Sequence, residues 1–291
     1  MEFLQPSTWT EALQMKSAHP EAMPIAGGTD VMVEINLDRH RPASILDLTR
    51  ITELNDWGDD GDRLRIGAGV TYARIIGELA QRLPGLAMAS RTVGSPQIRN
   101  RGTVGGNLGS ASPAGDAHPP LLASDALVEL ASTAGTRTLP AREFYIGPKR
   151  NAMRKDELIA AFLVAPATGP QQFSKVGTRN AMVIAVCSFA LALDPKRRHI
   201  GTGIGSAAPT PVTAEEAERF LEGALDEGGL WEKPAAVEAS ALARFGELVA
   251  AAAKPIDDVR GTAAFRRHAL AVMAQRSFAW AWTEYRARAL A

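Results

Sequence analysis

The chain has 291 residues, which is enough for two or three substructures with apolar cores of their own. Its 32 basic and 32 acidic side chains give a formal net charge of zero, so bulk charge favours neither a nucleic-acid partner nor an anionic membrane. The single cysteine, Cys187, excludes a disulfide framework and a four-cysteine iron–sulfur site within this chain.

The N-terminal residues do not resemble a signal peptide, because Glu2, Gln5 and Glu11 interrupt any apolar run. No stretch of the sequence is long and apolar enough to span a bilayer. We therefore expect a cytoplasmic protein without a membrane span.

The first part of the chain alternates short apolar runs with amphipathic runs, which indicates layered strands and helices. The predicted elements are a strand at Phe3, a helix over 9–19 capped by Ser7 or Thr8, strands at 23–26, 43–51 and 62–70, a turn over 55–62, and a helix that starts after Thr71 and ends at Pro84-Gly85.

The second part predicts two groups of strands separated by a linker at 167–172. Its predicted elements are paired strands over 126–132 and 136–143, a strand over 158–164, an apolar antiparallel sheet from 173–177, 182–193 and 199–208, a helix from a capping box at Thr213 to about Glu222, helical sequence after Pro234, and a long amphipathic helix within 257–290. The fold class is therefore α+β.

The stretch 93–126 contains six glycines and four prolines, so it cannot form one ordinary helix or one long strand. Gly105-Gly106 permits close approach of the backbone to a ligand, and small-residue loops rich in free N–H groups bind phosphate oxygens. Thr103 and Asn107 add polar groups, and Asp116 is an acceptor suited to a ribityl or ribose hydroxyl. A ligand loop is the favoured interpretation, because long irregular loops are uncommon in compact domains unless they are functional. A structural loop with glycine turns is the alternative.

A shorter segment, Met23–Val31, has the same character: an apolar run ends in Gly27-Gly28, and Thr29 and Asp30 follow. On its own it fits equally well a strand with a tight turn, in which Thr29 or Asp30 caps a helix. Two loops of paired glycines and polar residues in one chain favour a dinucleotide held between them.

Other chemistries have less support in the sequence. A Rossmann fingerprint begins at Gly67–Gly69 but has Tyr72 in place of the third glycine. A second candidate, the glycines of 201–205, is followed by a proline instead of a helix. Both segments are therefore better explained as turns. None of the five histidines has a second ligand at zinc spacing, so we expect no metal site. For His118 we expect surface or loop packing. For the basic cluster 149–155 we expect a solvated turn, with a docking surface or an NAD phosphate contact as the alternative.

The segments AGGTD at Ala26–Asp30 and QIRNRGTVGGNLGSASPAGD at Gln97–Asp116 resemble the FAD-binding subunit of molybdenum hydroxylases. That family includes xanthine dehydrogenase, carbon monoxide dehydrogenase and aldehyde oxidase, and the chain is most similar in style to bacterial xanthine dehydrogenase FAD subunits. The resemblance covers nearly the whole chain. It implies a two-part FAD-binding domain of the PCMH type over 1–166, with substructures of about 1–56 and 57–166, and a C-terminal α+β domain over 173–291 with an antiparallel sheet and helices.

The resemblance also implies which residues contact FAD. The first loop holds the pyrophosphate, the second loop and Asp116 contact the cofactor, residues near Leu158 approach the flavin ring, and Lys175 lies beside it. Val93 departs from relatives that carry an aromatic residue facing the ring. The implied contacts are Met23, Pro24, Ile25, Ala26, Gly27, Gly28, Thr29, Asp30, Val31, Thr103, Val104, Gly105, Gly106, Asn107, Asp116, Leu158, Ile159 and Lys175.

The implied function is electron transfer within a split, three-subunit enzyme. In such an enzyme a large subunit with a molybdenum cofactor hydroxylates the substrate, here a purine such as xanthine or another N-heterocycle. Electrons then pass through [2Fe–2S] clusters of a small subunit to FAD in this chain, and on to NAD⁺ or another acceptor. A stand-alone FAD oxidase and a non-catalytic flavin-binding module stay open as alternatives.

Overall fold

The computed structural model describes residues 1–289, and its mixture of helices and sheets confirms the predicted α+β class. The first elements are β1 (Glu2–Leu4), α1 (Trp9–Ala18), β2 (Met23–Ile25), α2 (Val31–Asn36) and β3 (Ser44–Asp47), followed by a 3₁₀ turn at Thr52–Asn55. The strands form a parallel sheet in the order β1–β3–β2, with a helix between consecutive strands.

Local hydrogen bonds determine where α1 begins and ends. The Thr8 hydroxyl accepts from the backbone N–H of Glu11 at 3.2 Å, which confirms Thr8 as the N-cap. Lys16 is buried, and its ammonium donates to the carbonyls of Pro20 and Ala22, both at 2.8 Å. These bonds tie the end of α1 to the start of β2, the strand that leads into the first glycine loop.

The second part is a five-stranded antiparallel sheet covered by short helices. Its elements are β4 (Trp57–Asp60), β5 (Arg63–Gly67), α3 (Tyr72–Glu78), α4 (Pro84–Thr92), α5 (Pro96–Arg101), α6 (Val104–Ser110), α7 (His118–Ala123), β6 (Leu127–Ser132), β7 (Gly135–Pro140), α8 (Ala141–Phe144), β8 (Tyr145–Gly147), β9 (Arg150–Asn151) and β10 (Leu158–Val164). The strand order is β4–β5–β10–β6–β7, with β8 and β9 paired separately. The central strand β10 is buried along its whole length, as its unbroken apolar sequence predicts.

Three local predictions for this part are wrong. Residues 57–60 form β4 instead of belonging to a turn; β4 is an edge strand with mostly exposed polar side chains, so the usual alternation is missing. α3 ends at Glu78, and Pro84 begins the next helix instead of ending this one. The first N–H groups of a helix have no partner within the helix, so the missing N–H of proline costs no hydrogen bond there. The stretch 93–126 contains three short helices, α5 to α7, instead of one irregular loop.

The C-terminal part is a three-stranded antiparallel sheet packed on three helices, as predicted, although its second strand begins at Cys187 and not at residue 182. Its elements are β11 (Gln171–Val176), β12 (Cys187–Asp194), β13 (His199–Gly205), α9 (Glu215–Glu227), α10 (Ala239–Ala252) and α11 (Ala263–Ala289). The predicted capping box is wrong, because α9 has Ala214 at its N-cap without a side-chain bond, and the helix extends beyond Glu222. The predicted continuation of the last helix to Leu290 lies outside the described residues.

The apolar core forms two large clusters, one within residues 4–164 and one within residues 187–282. Helix α7 joins them, because it lies directly on β13. A Cβ added to Gly201 or Gly203 would lie 2.0 Å from the carbonyl oxygen of Ala123 or Pro119, so strand and helix backbones are in contact. Within residues 1–289, no helix has the length and apolar character needed to cross a membrane.

Candidate functional site

The first glycine loop connects β2 to α2 and presents backbone donors. Met23, Pro24 and Ile25 form β2, Ala26 follows, and Val31 opens the helix. Between them, the N–H groups of 27–30 donate to no other group of residues 1–289. Asp30 occupies the N-cap without a side-chain bond, and Gly28 has φ +75, a conformation that favours glycine. The loop therefore offers a row of unused N–H donors, which suits phosphate oxygens.

The second loop touches the first. A Cβ on Gly27 would lie 2.0 Å from the carbonyl oxygen of Arg101, and a Cβ on Gly102 would lie 3.3 Å from the Thr29 hydroxyl. These contacts require glycine at 27, because any side chain there would separate the two backbones. Since Thr103 follows at once, the two glycine motifs border a common space.

Helix α6 borders this space through Gly106. Thr103 caps the helix by accepting from the N–H of Gly106 at 2.8 Å. Val104 is buried in the core, and a Cβ on Gly105 would lie 2.4 Å from the carbonyl oxygen of Ala68, so this turn packs tightly on the sheet. Gly106 is exposed, and only the Thr103 hydroxyl, at 3.1 Å, borders its Cβ position. Gly106 therefore supplies open space to the site, while its own N–H is already bonded.

Asp116 and Lys175, 59 residues apart in sequence, form a buried ion pair. The Lys175 ammonium donates to Oδ2 of Asp116 at 2.6 Å and to the carbonyl of Thr92 at 3.3 Å, and both paired side chains are only 8% exposed. Burial raises the pKa of Asp116, and the ammonium opposes that shift. Oδ1 of Asp116 is buried without a partner among the described residues, so the carboxylate keeps one acceptor for a ligand.

Two of the remaining predicted residues, Ile159 and Asn107, lie beside or within helix α6. Ile159 in β10 lies beside α6, with its Cδ1 3.6 Å from the Cβ position of Gly109, while the neighbouring Leu158 is buried in the core. Asn107 has a buried Oδ1 without a partner in residues 1–289. We call the space bordered by 27–30, Gly106, Asn107 and Asp116 the cradle.

Prediction from the sequence missed or understated two features. His118, expected in surface or loop packing, is fully buried and lies 2.8 Å from the Tyr145 hydroxyl. The contact between Gly27 and Arg101 carries no local signal, because it joins residues that are distant in sequence. In the basic cluster, Lys149 pairs with Glu34, and Lys155 pairs with the exposed Glu21, in keeping with a solvated turn.

Comparisons with known proteins match both parts of the chain. A family model described as FAD binding domain in molybdopterin dehydrogenase matches residues 1–166, and one described as CO dehydrogenase flavoprotein C-terminal domain matches residues 172–281. The chain is 33% identical over 229 residues to a xanthine dehydrogenase FAD-binding subunit of Escherichia coli O157:H7, covering 75% of this chain and 78% of that protein. It is 32% identical over 264 residues to the carbon monoxide dehydrogenase medium chain of Afipia carboxidovorans, covering 88% of each.

Comparison of the fold with solved structures points to the same group of proteins. The structure superposes on a chain of carbon monoxide dehydrogenase from Hydrogenophaga pseudoflava with a TM-score of 0.88, at 26% identity and with 98% of each chain covered. Fold and matches together define an FAD-binding flavoprotein. The chain belongs to the FAD-binding subunits of molybdenum hydroxylases, which are multi-subunit oxidoreductases of the xanthine and carbon monoxide dehydrogenase kind, and its cofactor is FAD.

The residues of the cradle fit this cofactor. A pyrophosphate needs several convergent donors, and the N–H groups of 27–30 are unused. Ribityl and ribose hydroxyls need acceptors, and Oδ1 of Asp116 is one. The open Cβ position of Gly106 leaves room for the ligand between them.

Proposed function

We propose that this chain binds FAD in the cradle, with the pyrophosphate on the loop Met23–Val31 and on residues Thr103–Asn107. Asp116 holds a sugar or ribityl hydroxyl through its free Oδ1, and Lys175 fixes that carboxylate from the other side. Leu158 and Ile159 border the flavin end. The observation that carries the proposal is the contact of the two glycine loops, which brings unused N–H donors next to the open face of α6.

Bound FAD supplies reversible electron transfer between a one-electron and a two-electron partner. The chain's own residues bind and orient the cofactor, and the Lys175 ammonium places a positive charge near the proposed ring position. We propose that electrons come from [2Fe–2S] clusters of a small subunit and leave to NAD⁺ or another acceptor. The large subunit would carry the molybdenum cofactor and act on a purine such as xanthine or another N-heterocycle. The names of the relatives support this assignment.

The organisation of the chain is part of the proposal. We propose an FAD-binding unit over 1–166, with substructures of about 1–56 and 57–166, and a C-terminal unit over 173–291, which the ranges of the two family models support. The cytoplasmic location expected from the sequence stays a prediction.

Coexpression of this chain with its small and large subunits tests the function. We expect a complex that contains FAD, iron and molybdenum, and whose flavin is bleached by substrate only when all three subunits are present. Bleaching of the isolated chain by a substrate would identify a stand-alone oxidase. A flavin that stays oxidised in the complete, active complex would identify a non-catalytic module.

A further inference from the structure

Ser206, the residue that follows β13, has an unusual backbone conformation. Its φ is +58, in the region that favours glycine, and its side chain is buried, with an Oγ that has no partner among residues 1–289. Such a conformation is unfavourable for serine and persists only where neighbouring groups impose it. The bonds that Ser206 makes therefore indicate its role.

Arg266 of α11 holds the carbonyl side of Ser206. Its guanidinium is buried, donates from Nη1 to the Ser206 carbonyl at 2.7 Å, and donates from Nη2 to Oδ1 of Asp258 at 2.5 Å. Its Nε is buried without a partner in the described chain. A buried guanidinium with an unpaired N–H is unfavourable, and an apolar side chain would fill the same volume at less cost. Stability alone therefore does not account for an arginine at this position.

On its other side, Ser206 is bonded to the segment that carries Asp116. The Ser206 N–H donates to the Pro113 carbonyl at 2.7 Å. Pro113 lies in a tight turn, which the Gly115 N–H closes by donating to the Ser112 carbonyl at 2.9 Å. Because Asp116 follows Gly115 directly, the position of this turn sets the position of the carboxylate.

The Asp116 carboxylate is held from both edges of the C-terminal sheet. Lys175, which donates to Oδ2 at 2.6 Å, lies in the edge strand β11, and Ser206 follows the opposite edge strand β13. Oδ1 is the buried acceptor without a partner in residues 1–289. A displacement of the turn would lengthen the bond to Lys175 and move Oδ1, and hydrogen bonds weaken steeply when their geometry departs from the preferred one.

We propose that Arg266 and Ser206 are positioning residues for Asp116. Arg266 keeps Ser206 in its positive-φ conformation, Ser206 fixes the Pro113 carbonyl, and the turn then presents Oδ1 of Asp116 to FAD. The proposal rests on the proposed function, because it takes Asp116 as an FAD contact. Arg266 and Ser206 act on the cofactor only through the turn 112–115.

Three substitutions on α11 separate this role from general support of the C-terminal part. Arg266→Met removes both bonds of the guanidinium and strands no buried charge, since the side chain of Asp258 is 23% exposed. Arg266→Lys keeps a cation and a donor for the Ser206 carbonyl. Tyr285→Phe is the matched control, because it removes a bond from the same helix to a backbone carbonyl, that of Trp231 at 2.7 Å. Tyr285 lies roughly 28 Å further along the helix axis than Arg266.

The experiment is a titration of the deflavinated full-length chain with FAD, followed by flavin fluorescence. We expect Arg266→Met to weaken FAD binding about tenfold, the size of one net hydrogen bond, and Arg266→Lys to recover most of that loss. We expect Tyr285→Phe to bind FAD as tightly as the unsubstituted chain. Unchanged affinity in Arg266→Met, or an equal loss in Arg266→Lys or in Tyr285→Phe, would overturn the proposal. Failure of the unsubstituted chain to bind FAD would instead overturn the proposed function.

A second measurement uses the unsubstituted chain and does not depend on how well a variant folds. Amide hydrogen exchange, read by NMR, compares the Ser206 N–H with the Leu193 N–H of β12, which donates to the Pro170 carbonyl at 3.0 Å. If the Ser206 bond holds Asp116 for FAD, bound FAD must stabilise the Ser206 bond by the same factor, because coupling between two sites is reciprocal. We expect FAD to slow exchange at Ser206 about tenfold more than at Leu193. Equal slowing of the two amides would overturn the proposal.

Discussion

Gly106 of α6 and the alternate glycines of β13 have opposite surroundings in the structure. In α6, Gly106 is exposed, and only the Thr103 hydroxyl borders its Cβ position. In β13, Gly201, Gly203 and Gly205 lie on one face of the strand, and each Cβ position is within 2.5 Å of another atom of the chain. Gly106 leaves space for a ligand, whereas the glycines of β13 let a helix lie on a strand.

The difference shows what the C-terminal part contributes to the site. Helix α7 lies on the glycines of β13 and begins two residues after Asp116, and the Ser206 N–H donates to the Pro113 carbonyl at 2.7 Å. Lys175, from strand β11 at the opposite edge of the same sheet, reaches Asp116 itself. The acidic contact of the cradle is therefore held from the C-terminal sheet. We expect changes at the cradle to reduce FAD binding alone, changes at β13 to reduce stability first, and changes at Lys175 to reduce both.

The largest effect is expected for Lys175→Met, because it leaves a buried carboxylate without its cation. We expect a loss of about 3–5 kcal/mol in the free energy of unfolding at neutral pH, measured with urea, together with weaker FAD binding. Lys155→Met is the matched control, because its ion pair with Glu21 is 77% exposed on both sides. Equal stability of the two variants would contradict a structural role for the buried pair.

Acid should partly rescue Lys175→Met. Burial already raises the pKa of Asp116, and removing the ammonium raises it further. The folded variant then takes up a proton at a pH at which the unfolded chain does not, so its stability deficit shrinks as pH falls toward the unfolded pKa of 3.8. Urea curves of both proteins between neutral pH and pH 5 measure the deficit. A deficit that grows on acidification would show that Asp116 is not the stranded group.

Lys175→Met should also lower the midpoint potential of bound FAD. A fixed positive charge near the flavin stabilises the negative charge that reduction adds, so its removal makes reduction harder. A redox titration of the variant, with Lys155→Met as control, measures the shift. An unchanged midpoint would place the ammonium away from the ring.

Gly203→Ala is expected to have the next largest effect. Its Cβ would lie 2.0 Å from the Pro119 carbonyl oxygen, so strand and helix must separate, at a cost of about 3 kcal/mol. Gly223→Ala in α9 is the control, because no atom lies within 4 Å of its Cβ position and alanine favours helix. An unfolding midpoint for Gly203→Ala equal to that of the unsubstituted chain would contradict the contact between α7 and β13.

A smaller effect is expected from pH acting on His118. Its pKa is lowered from 6.5 to about 3, so the unfolded chain takes up a proton in that interval and the folded chain does not. Stability contributed by the neutral ring is present above pH 6.5 and declines by at most about 1.4 kcal/mol per pH unit as pH falls. In His118→Gln that part of the slope disappears. The free energy of unfolding of the two proteins is plotted against pH between pH 7 and pH 5. Equal slopes for the unsubstituted chain and His118→Gln would show that His118 does not remain neutral.

Much of the fold follows from local patterns in the sequence. The apolar run of β10 and the cap at Thr71, whose hydroxyl accepts from the N–H of Arg74, are local features that sequence reasoning can find. Strand β4 was missed because an edge strand with exposed aspartates lacks the alternation that identifies strands. The glycines of β13 were predicted both as part of a strand over 199–208 and, when weighed as a nucleotide fingerprint, as a turn. The strand is correct, and their spacing of two residues places them on one face of it.

The candidate site was less accessible to local reasoning. Glycine pairs indicate that a backbone must approach something closely, but not whether a ligand, a strand or a helix approaches. Resemblance to the family supplied Lys175 as a site residue, whereas its pairing with Asp116 depends on strands that are distant in sequence. His118 was assigned to surface or loop packing because a lone histidine has no pattern that reveals its burial.

The central claim is that FAD lies against the open face of α6, next to the first glycine loop. Equilibrium titration of the deflavinated Gly106→Val variant with FAD tests it most directly, and Gly77→Val in α3 is the matched control, since both Cβ positions are open or nearly so. We predict that Gly106→Val weakens FAD binding at least about tenfold, because a side chain enters the cradle, while its unfolding midpoint stays close to that of Gly77→Val. FAD affinity in Gly106→Val equal to that of the unsubstituted chain would contradict the account.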